Sequence, residues 1–248
     1  MAYRSAGSGE PAIVFVHGWT CDMTSWSQQF PFFARTHRVL AVDLPGHGLS
    51  DKPEIVYSMD LFARAVDAVL KDAGVSRAVL VGHSMGTPVV RQFSRLFPAK
   101  TVALVAVDGP LKPYSTDPAV AERFVAPFAG ANGREARAKM ADSMLAGVDA
   151  GLADPAKAVM LATPVDVVVS AGRAMFDPAI WKEDPIRVPL LVVLAKSPFW
   201  SDDYEAYVRR LAPGVRYEVL DGVSHFLMLQ KPDAFNALLA AFLAGLRS

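Results

Sequence analysis

The hexapeptide "VGHSMG", residues 81–86, joins an apolar run at 78–81 to a segment with helical periodicity at about 85–97. A strand that ends in Gly-x-Ser-x-Gly and continues as a helix makes a tight turn, called a nucleophile elbow. Gly82 and Gly86 are needed there because a side chain on either residue would collide across the turn. We therefore predict that Ser84 has a strained backbone conformation and presents its hydroxyl group above the sheet edge.

Short apolar runs of strand length alternate with helical patterns along most of the chain. The runs lie at residues 13–16, 39–42, 78–81, 102–107, 190–194 and 217–220. Apolar residues at helical spacing occur at 61–70 and again at 235–246. This alternation predicts an α/β fold, with a mostly parallel central sheet and helices on both of its faces.

The alternation stops between residues 111 and 185, where no clear strand pattern occurs. This segment is rich in alanine and methionine and contains scattered prolines. We predict that it is a helical cap inserted into a core domain of residues 1–110 and 186–248. Ligand sites in open α/β sheets lie beyond the carboxyl ends of the strands, so the cap should cover a pocket there.

Composition restricts the classes of partner and cofactor. The chain has 248 residues, 52% of them hydrophobic, and its 25 Lys and Arg balance 25 Asp and Glu. This neutral balance argues against nucleic acid or an anionic membrane as the main partner and favours a small molecule. Cys21 is the only cysteine, which excludes an intramolecular disulfide and a multi-cysteine zinc site and fits a reducing compartment.

The first residues of the chain and the length of its apolar runs indicate where the protein is located. Its first residues lack the basic and apolar pattern of a secretory signal, and no apolar run approaches the ~18 residues that span a bilayer. We therefore predict a cytoplasmic protein without a membrane segment. The sequence does not indicate an oligomeric state.

A nucleophilic serine needs a base that removes its proton and donors that stabilise the oxyanion. His225 follows the apolar run at 217–220 by a short loop, which places it at the same sheet edge as Ser84. The other four histidines lie in loops or near the opposite edge, and His83 should point away from the serine. We predict that His225 is the general base.

Two backbone N–H groups are placed to bind the oxyanion. Trp19 comes directly after the apolar run at 13–16, in the sequence His17-Gly18-Trp19, and Met85 begins the helix after the elbow. The N–H groups of the residue after the nucleophile and of an early strand-end loop form this site in nucleophile-elbow enzymes. We predict an oxyanion hole formed by Trp19 and Met85.

The elbow belongs to a set of four motifs, "FVHGW" at 15–19, "DLPGHGLSDKP" at 43–53, "VGHSMG" at 81–86 and "DGVSHF" at 221–226. In this order and spacing the set resembles the α/β-hydrolase fold enzymes that carry a helical cap. Haloalkane dehalogenases and epoxide hydrolases of this fold have aspartate at the elbow. With serine there, the chain is similar to the esterase, thioesterase and carbon–carbon hydrolase branches. The resemblance implies an acyl-enzyme intermediate and no metal or organic cofactor.

The acid that would orient the base is missing from its usual place. Members of the family generally carry an aspartate just after the strand that matches residues 190–194, whereas this chain has Ser197 there. A serine cannot supply the negative charge that stabilises an imidazolium. Either another carboxylate takes this role or the triad is incomplete.

Three other positions are candidates for the acid, of which Asp221, only four residues before His225, is expected to hold its own loop. Asp108 follows the apolar run at 102–107, and some members of the fold place their acid after that strand. Asp202 and Asp203 begin a predicted helix, where an acidic first turn is favourable in any case. We predict that Asp108 is the acid, with the pair Asp202/Asp203 as the alternative.

Together these features predict a serine hydrolase that cleaves a small, largely apolar carboxylic ester. The cap segment 111–185 contains 8 Lys and Arg against 10 Asp and Glu, a net charge of 8 − 10 = −2. Such a cap does not favour the phosphates of coenzyme A, which weakens the case for a thioesterase. A carbon–carbon bond hydrolase remains an alternative, as does a non-catalytic small-molecule receptor, since Ser197 is not an acid.

Overall fold

Seven β-strands form a single sheet in the computed structural model of the protein, which describes residues 1–115, 117 and 119–246. The strands are β1 (Tyr3–Ala6), β2 (Ala12–Val16), β3 (Val39–Val42), β4 (Ala78–His83), β5 (Thr101–Val107), β6 (Leu190–Ala195) and β7 (Arg216–Leu220). Their spatial order is β1-β3-β2-β4-β5-β6-β7. β1 is antiparallel to β3, and every other neighbouring pair is parallel.

Helices lie between most of the strands and after the last one. They are α1 (Phe30–Phe33), α2 (Met59–Asp72), α3 (Gly86–Leu96), α4 (Ala119–Ala129), α5 (Gly133–Met144), α6 (Ala150–Ala162), α7 (Val165–Ala174), α8 (Asp202–Leu211), α9 (Leu227–Gln230) and α10 (Pro232–Gly245). Short 3₁₀ turns lie at Met23–Trp26, Pro98–Lys100 and Pro178–Ile180. In the described part of the chain, none of the helices has the length and apolar character needed to cross a bilayer.

The core lies on both sides of the sheet. Because alternate strand residues point to opposite faces, each buried strand supplies side chains to two apolar layers. In one layer Phe62 of α2 and Phe93 of α3 pack on the sheet, and in the other Phe33 of α1 and Phe235 of α10 do so. The predicted α/β class, with a mostly parallel sheet and helices on both faces, is confirmed.

The six apolar runs of the sequence all form strands, but the pattern missed β1. That strand is short, includes the exposed residues Arg4 and Ser5, and pairs at the sheet edge through the register Tyr3↔Val42. Such an edge strand has no continuous apolar run, because only one side of it is covered. The apolar pattern therefore did not predict β1, the antiparallel strand at the sheet edge.

Four helices, α4 to α7, lie between β5 and β6, and no strand occurs there among the described residues. The indole N–H of Trp19, in the loop after β2, donates to the carbonyl oxygen of Val168 in α7 at 2.9 Å. The backbone N–H of Tyr57 donates to the hydroxyl of Ser170 at 2.9 Å. These bonds tie the helical segment to the sheet, while the domain boundaries at 110/111 and 185/186 stay a prediction.

The parallel strands bring several loops to one edge of the sheet. The register pairs His83 with Val107 and Val107 with Val193, so the residues that follow β4, β5 and β6 are neighbours. The backbone N–H of Ser84 donates to the carbonyl oxygen of Val107 at 2.9 Å. That edge holds the residues predicted to be functional.

Candidate active site

Ser84 lies in the turn between β4 and α3, with a φ of +51°. Residues other than glycine rarely adopt this conformation, which costs roughly 1–3 kcal/mol. A Cβ atom at Gly82 would lie 2.3 Å from the carbonyl oxygen of Gly86, and one at Gly86 would lie 2.5 Å from that of Val16. The strained serine and the two glycines have the geometry that the hexapeptide predicts for an elbow.

The loop after β2 packs directly against this elbow. A Cβ atom at Gly18 would lie 3.0 Å from the Cβ atom of Ser84, so the approach depends on glycine. Within the described residues, the backbone N–H groups of Trp19 and Met85 donate to no protein acceptor. Two unpaired donors beside the serine suit an oxyanion. Their role as an oxyanion hole stays a prediction.

His225 and Asp108 are joined by a hydrogen bond of 2.6 Å between Nδ1 of the imidazole and Oδ2 of the carboxylate. Asp108 is only 6% exposed and, like the serine, has a positive φ, of +40°. Because a carboxylate is only an acceptor, the neutral form of the imidazole has its proton on Nδ1 and a lone pair on Nε2. This tautomer is the one that a general base requires.

The second oxygen of Asp108 is also occupied. Oδ1 accepts the backbone N–H of Ala195 at 2.9 Å and the indole N–H of Trp200 at 2.8 Å. The carboxylate therefore receives three hydrogen bonds, of which only one comes from His225. With both oxygens held, the orientation of the carboxylate is fixed.

His83 lies next to His225. Its ring centroid is 4.6 Å from that of His225, and its Nε2 donates to the backbone carbonyl of His225 at 2.9 Å. Burial holds the pKa of His83 well below its usual value, so its ring is neutral. A neutral neighbour supports the loop of His225 without opposing a positive charge on it.

His17 and His47 are buried residues of the loops around the elbow. Nδ1 of His17 donates to the carbonyl of Gly18, and its Nε2 accepts the N–H of Leu44 at 3.0 Å. Burial lowers the pKa of His17 to about 4 and that of His47 to about 3. With both ring nitrogens bonded to the backbone, His17 stabilises its loop.

The alternative acids lie elsewhere. Asp202 and Asp203 form the first turn of α8, and neither makes a hydrogen bond with His225 in the described structure. The Oγ atom of Ser197 accepts the backbone N–H of Phe199 at 3.2 Å, and so helps to form a turn. The structure thus brings Asp108, and not the later pair, to His225.

The motif at 43–53 forms a turn around a buried carboxylate. Asp43 accepts the backbone N–H groups of Met23 at 2.7 Å and Leu49 at 2.8 Å. A Cβ atom at Gly48, where φ is +50°, would lie 2.3 Å from Oδ2 of Asp43. Burial raises the pKa of Asp43. The carboxylate of Asp43 therefore stabilises the turn through these hydrogen bonds.

A cavity of about 650 Å³ lies between the sheet edge and the helical segment. Ser84, His225 and Asp108 all line it. Most of the remaining wall is apolar, including the aromatic residues Trp19, Phe124, Phe176, Phe199, Trp200 and Phe226. Among the described residues, no group of three or more His, Cys, Asp or Glu could hold a metal ion. The cavity is large enough for a small organic molecule.

Two hydrogen bonds to Asp108 were not predicted from the sequence, those from Ala195 and Trp200. The first is made by a backbone N–H at the end of β6, which no side-chain pattern reveals. For the second, the only signal is that Trp200 follows Ser197 within the turn that usually carries the acid. The direction of its indole N–H depends on the tertiary structure.

Comparisons with known proteins give information about the family and the fold of the chain. Residues 13–238 match the Alpha/beta hydrolase family. Over 106 residues the chain is 40% identical to an uncharacterised protein of Mycobacterium tuberculosis, an alignment that covers 43% of this chain and 31% of that protein. The chain thus matches about a third of the length of that curated relative.

Two solved structures have the same fold. A thermophilic esterase from Thermogutta terrifontis superposes with a TM-score of 0.83 at 22% identity, covering 100% of this chain and 94% of the esterase. An enol-lactonase from Burkholderia xenovorans LB400 gives a TM-score of 0.83 at 22% identity, covering 98% of this chain and 96% of the lactonase. At this level of identity, the superpositions show a shared fold.

Proposed function

The chain belongs to the alpha/beta hydrolase family, and we propose that it is a serine hydrolase which cleaves a small, largely apolar carboxylic ester. The observation that carries this proposal is the 2.6 Å hydrogen bond between His225 and Asp108, beside the cavity that Ser84 also lines. A nucleophile, a base and an acid at one cavity support acyl transfer to water.

The first step is acylation. The Oγ atom of Ser84 attacks the carbonyl carbon of the ester while Nε2 of His225 takes the hydroxyl proton, and Asp108 stabilises the resulting imidazolium. The carbonyl oxygen becomes an oxyanion and accepts hydrogen bonds from the N–H groups of Trp19 and Met85. As the intermediate collapses, the bond to the leaving oxygen breaks and His225 protonates the departing alcohol.

The second step is hydrolysis of the acyl-enzyme. A water molecule takes the place of the alcohol and attacks the acyl carbon while Nε2 of His225 takes one of its protons. The new oxyanion occupies the same N–H pair. When it collapses, the bond to Ser84 breaks, His225 returns the proton to Oγ, and a carboxylic acid leaves. The enzyme is restored without a cofactor.

The cavity favours an uncharged, largely apolar substrate. Its wall is mainly aromatic and aliphatic, so apolar surface of the substrate would be removed from water there. Lys196 is the one ammonium group on the wall among the described residues, and it is paired with Asp221 at 3.3 Å. A substrate with several phosphates would find no basic cluster at this wall, which argues against coenzyme A thioesters.

The other functions are less well supported. The case for a non-catalytic receptor rested on the absence of an acid at Ser197, and the bond between Asp108 and His225 removes that reason. A carbon–carbon bond hydrolase would use the same residues, so it remains an alternative that substrate tests must separate.

The experiment is a comparison of substrates with the wild-type protein and with Ser84→Ala as the matched control. We expect kcat/KM to be larger for p-nitrophenyl butyrate than for butyryl-coenzyme A, and we expect Ser84→Ala to hydrolyse neither. A strong preference for the thioester would overturn the choice of substrate. Cleavage of a dienone ring-fission product in preference to both would favour the carbon–carbon hydrolase.

A further inference from the structure

We propose that Trp200 is a positioning residue, which acts on catalysis by holding the carboxylate of Asp108. The proposal rests on the proposed serine-hydrolase function. The indole N–H of Trp200 lies 2.8 Å from Oδ1 of Asp108, and the other oxygen, Oδ2, lies 2.6 Å from Nδ1 of His225. One carboxylate thus receives the indole on one side and the proposed base on the other.

The turn that carries Trp200 is the one in which related enzymes usually have their acid. Ser197 forms this turn, because its Oγ atom accepts the N–H of Phe199 and its carbonyl oxygen accepts the N–H of Trp200 at 3.1 Å. Ser197 therefore stabilises the turn and does not supply the acid. The turn supplies a hydrogen-bond donor to an acid located on the neighbouring strand end.

Packing fixes the indole in this position. The ring of Trp200 lies 4.7 Å from that of Tyr204 and 4.8 Å from that of Phe199, measured between centroids. The hydroxyl of the buried Tyr204 donates to the carbonyl oxygen of Gly109 at 3.1 Å and accepts the N–H of Leu111 at 3.0 Å. Tyr204 thus ties the support of the indole to the chain directly after Asp108.

The indole has two effects on the acid. The backbone N–H of Ala195 also donates to Oδ1, so the indole is the second donor to that oxygen and further restrains the carboxylate against rotation. The indole N–H also draws part of the negative charge toward Oδ1, away from His225. Because the indole is uncharged, it holds Asp108 without forming an ion pair that would compete with His225.

Trp200→Phe removes the indole N–H and keeps an aromatic ring in the wall of the cavity. We expect kcat for an aryl butyrate to fall about 10- to 100-fold, because the acid and the base lose their alignment. More charge on Oδ2 would favour the imidazolium, so the acid limb of the profile of kcat/KM should move to higher pH. The same change should appear in the NMR titration of His225.

The matched control is Trp181→Phe. The indole of Trp181 donates to the carbonyl oxygen of Met175 at 3.0 Å in the helical segment, so this variant also loses one indole hydrogen bond, but away from Asp108. We expect its kcat and pH profile to be those of the wild type. A similar loss in both variants would mean that a tryptophan is needed only for packing, and would overturn the proposal.

A double-mutant cycle tests the route of the effect. If Trp200 acts through Asp108, then Trp200→Phe should add almost nothing to the loss caused by Asp108→Asn. Additive losses, or a wild-type kcat in Trp200→Phe alone, would contradict the proposal. If the wild-type protein hydrolyses no ester, the proposed function fails, and the NMR titration of His225 in the two tryptophan variants still decides the role of Trp200.

Discussion

The Nδ1 atom of His225 lies 2.6 Å from Oδ2 of Asp108, in a hydrogen bond between residues that are 117 positions apart in the chain. Asp108 follows β5 and His225 follows β7, so the bond passes over the end of β6, which lies between these strands. It fixes the imidazole tautomer in which Nε2 can accept the proton of Ser84. The proposed chemistry depends on this bond.

Asp108→Asn should keep the fold and lose turnover. The amide can favour the wrong imidazole tautomer and cannot stabilise the imidazolium, and the same change in a serine protease lowers kcat by about 10⁴. We expect a loss approaching this size in kcat for p-nitrophenyl butyrate. Circular dichroism would verify that the variant is folded.

The controls for this variant are Asp202→Asn and Asp203→Asn, which change the exposed first turn of α8. Each should keep kcat within about twofold of the wild type, as is usual for surface substitutions. If Asp108→Asn stays active and a change at 202 or 203 abolishes turnover, the acid has been assigned to the wrong strand end.

The pH profile should show that the base acts unprotonated. Protonation of Nε2 of His225 removes the lone pair that accepts the serine proton, so kcat/KM should fall at acid pH. Burial keeps His83, His17 and His47 neutral, with pKa values of about 4 for His17 and about 3 for His47. A profile that stays flat to pH 4, or near-normal turnover in His225→Ala, would contradict the assignment.

Burial of His17 should make stability depend on pH. Its pKa is lowered from 6.5 to about 4 in the folded state, so the unfolded state binds the proton more readily. At pH values above 6.5, burial of neutral His17 costs no stability. As the pH falls toward 4, protonation of the unfolded state lowers the free energy of unfolding by about 3 kcal/mol. Urea unfolding between pH 7 and pH 4 should show a smaller loss in His17→Gln. Equal losses in the two proteins would contradict this.

The elbow glycines should be intolerant of a methyl group. A Cβ atom at Gly82 would lie 2.3 Å from the backbone carbonyl oxygen of Gly86, so Gly82→Ala should destabilise the protein by about 2–4 kcal/mol. At Gly214 a Cβ atom meets nothing within 4 Å, which makes Gly214→Ala the control. Thermal unfolding of both variants measures the difference. Equal midpoints would mean that the turn can relax around a side chain.

Much of the fold was predictable because strand and helix patterns are local. The buried parallel strands are continuous apolar runs, and the elbow is specified by a serine between two glycines at the end of such a run. The edge strand β1 was missed because its exposed residues interrupt any apolar pattern. The neighbourhood of Asp108 and Ser84 could be predicted because consecutive parallel strands commonly lie side by side.

The rest of the site depends on tertiary contacts. Nothing in the sequence states that the indole of Trp200 turns toward Asp108, since its direction follows from the turn at Ser197 and from packing on Tyr204. The contact between His83 and His225 likewise arises because the loop after β7 folds back over the end of β4. Such contacts join residues that no spacing rule connects.

The most direct test of the central claim is covalent labelling of the wild-type protein with a fluorophosphonate, followed by peptide mapping by mass spectrometry. A fluorophosphonate phosphonylates a serine that is activated by a base, and fluoride leaves. Ser84 should carry the adduct, esterase activity should be lost in proportion to labelling, and His225→Ala should label far more slowly. An adduct on a different serine, or full esterase activity without any adduct, would contradict the assignment of Ser84 as the nucleophile.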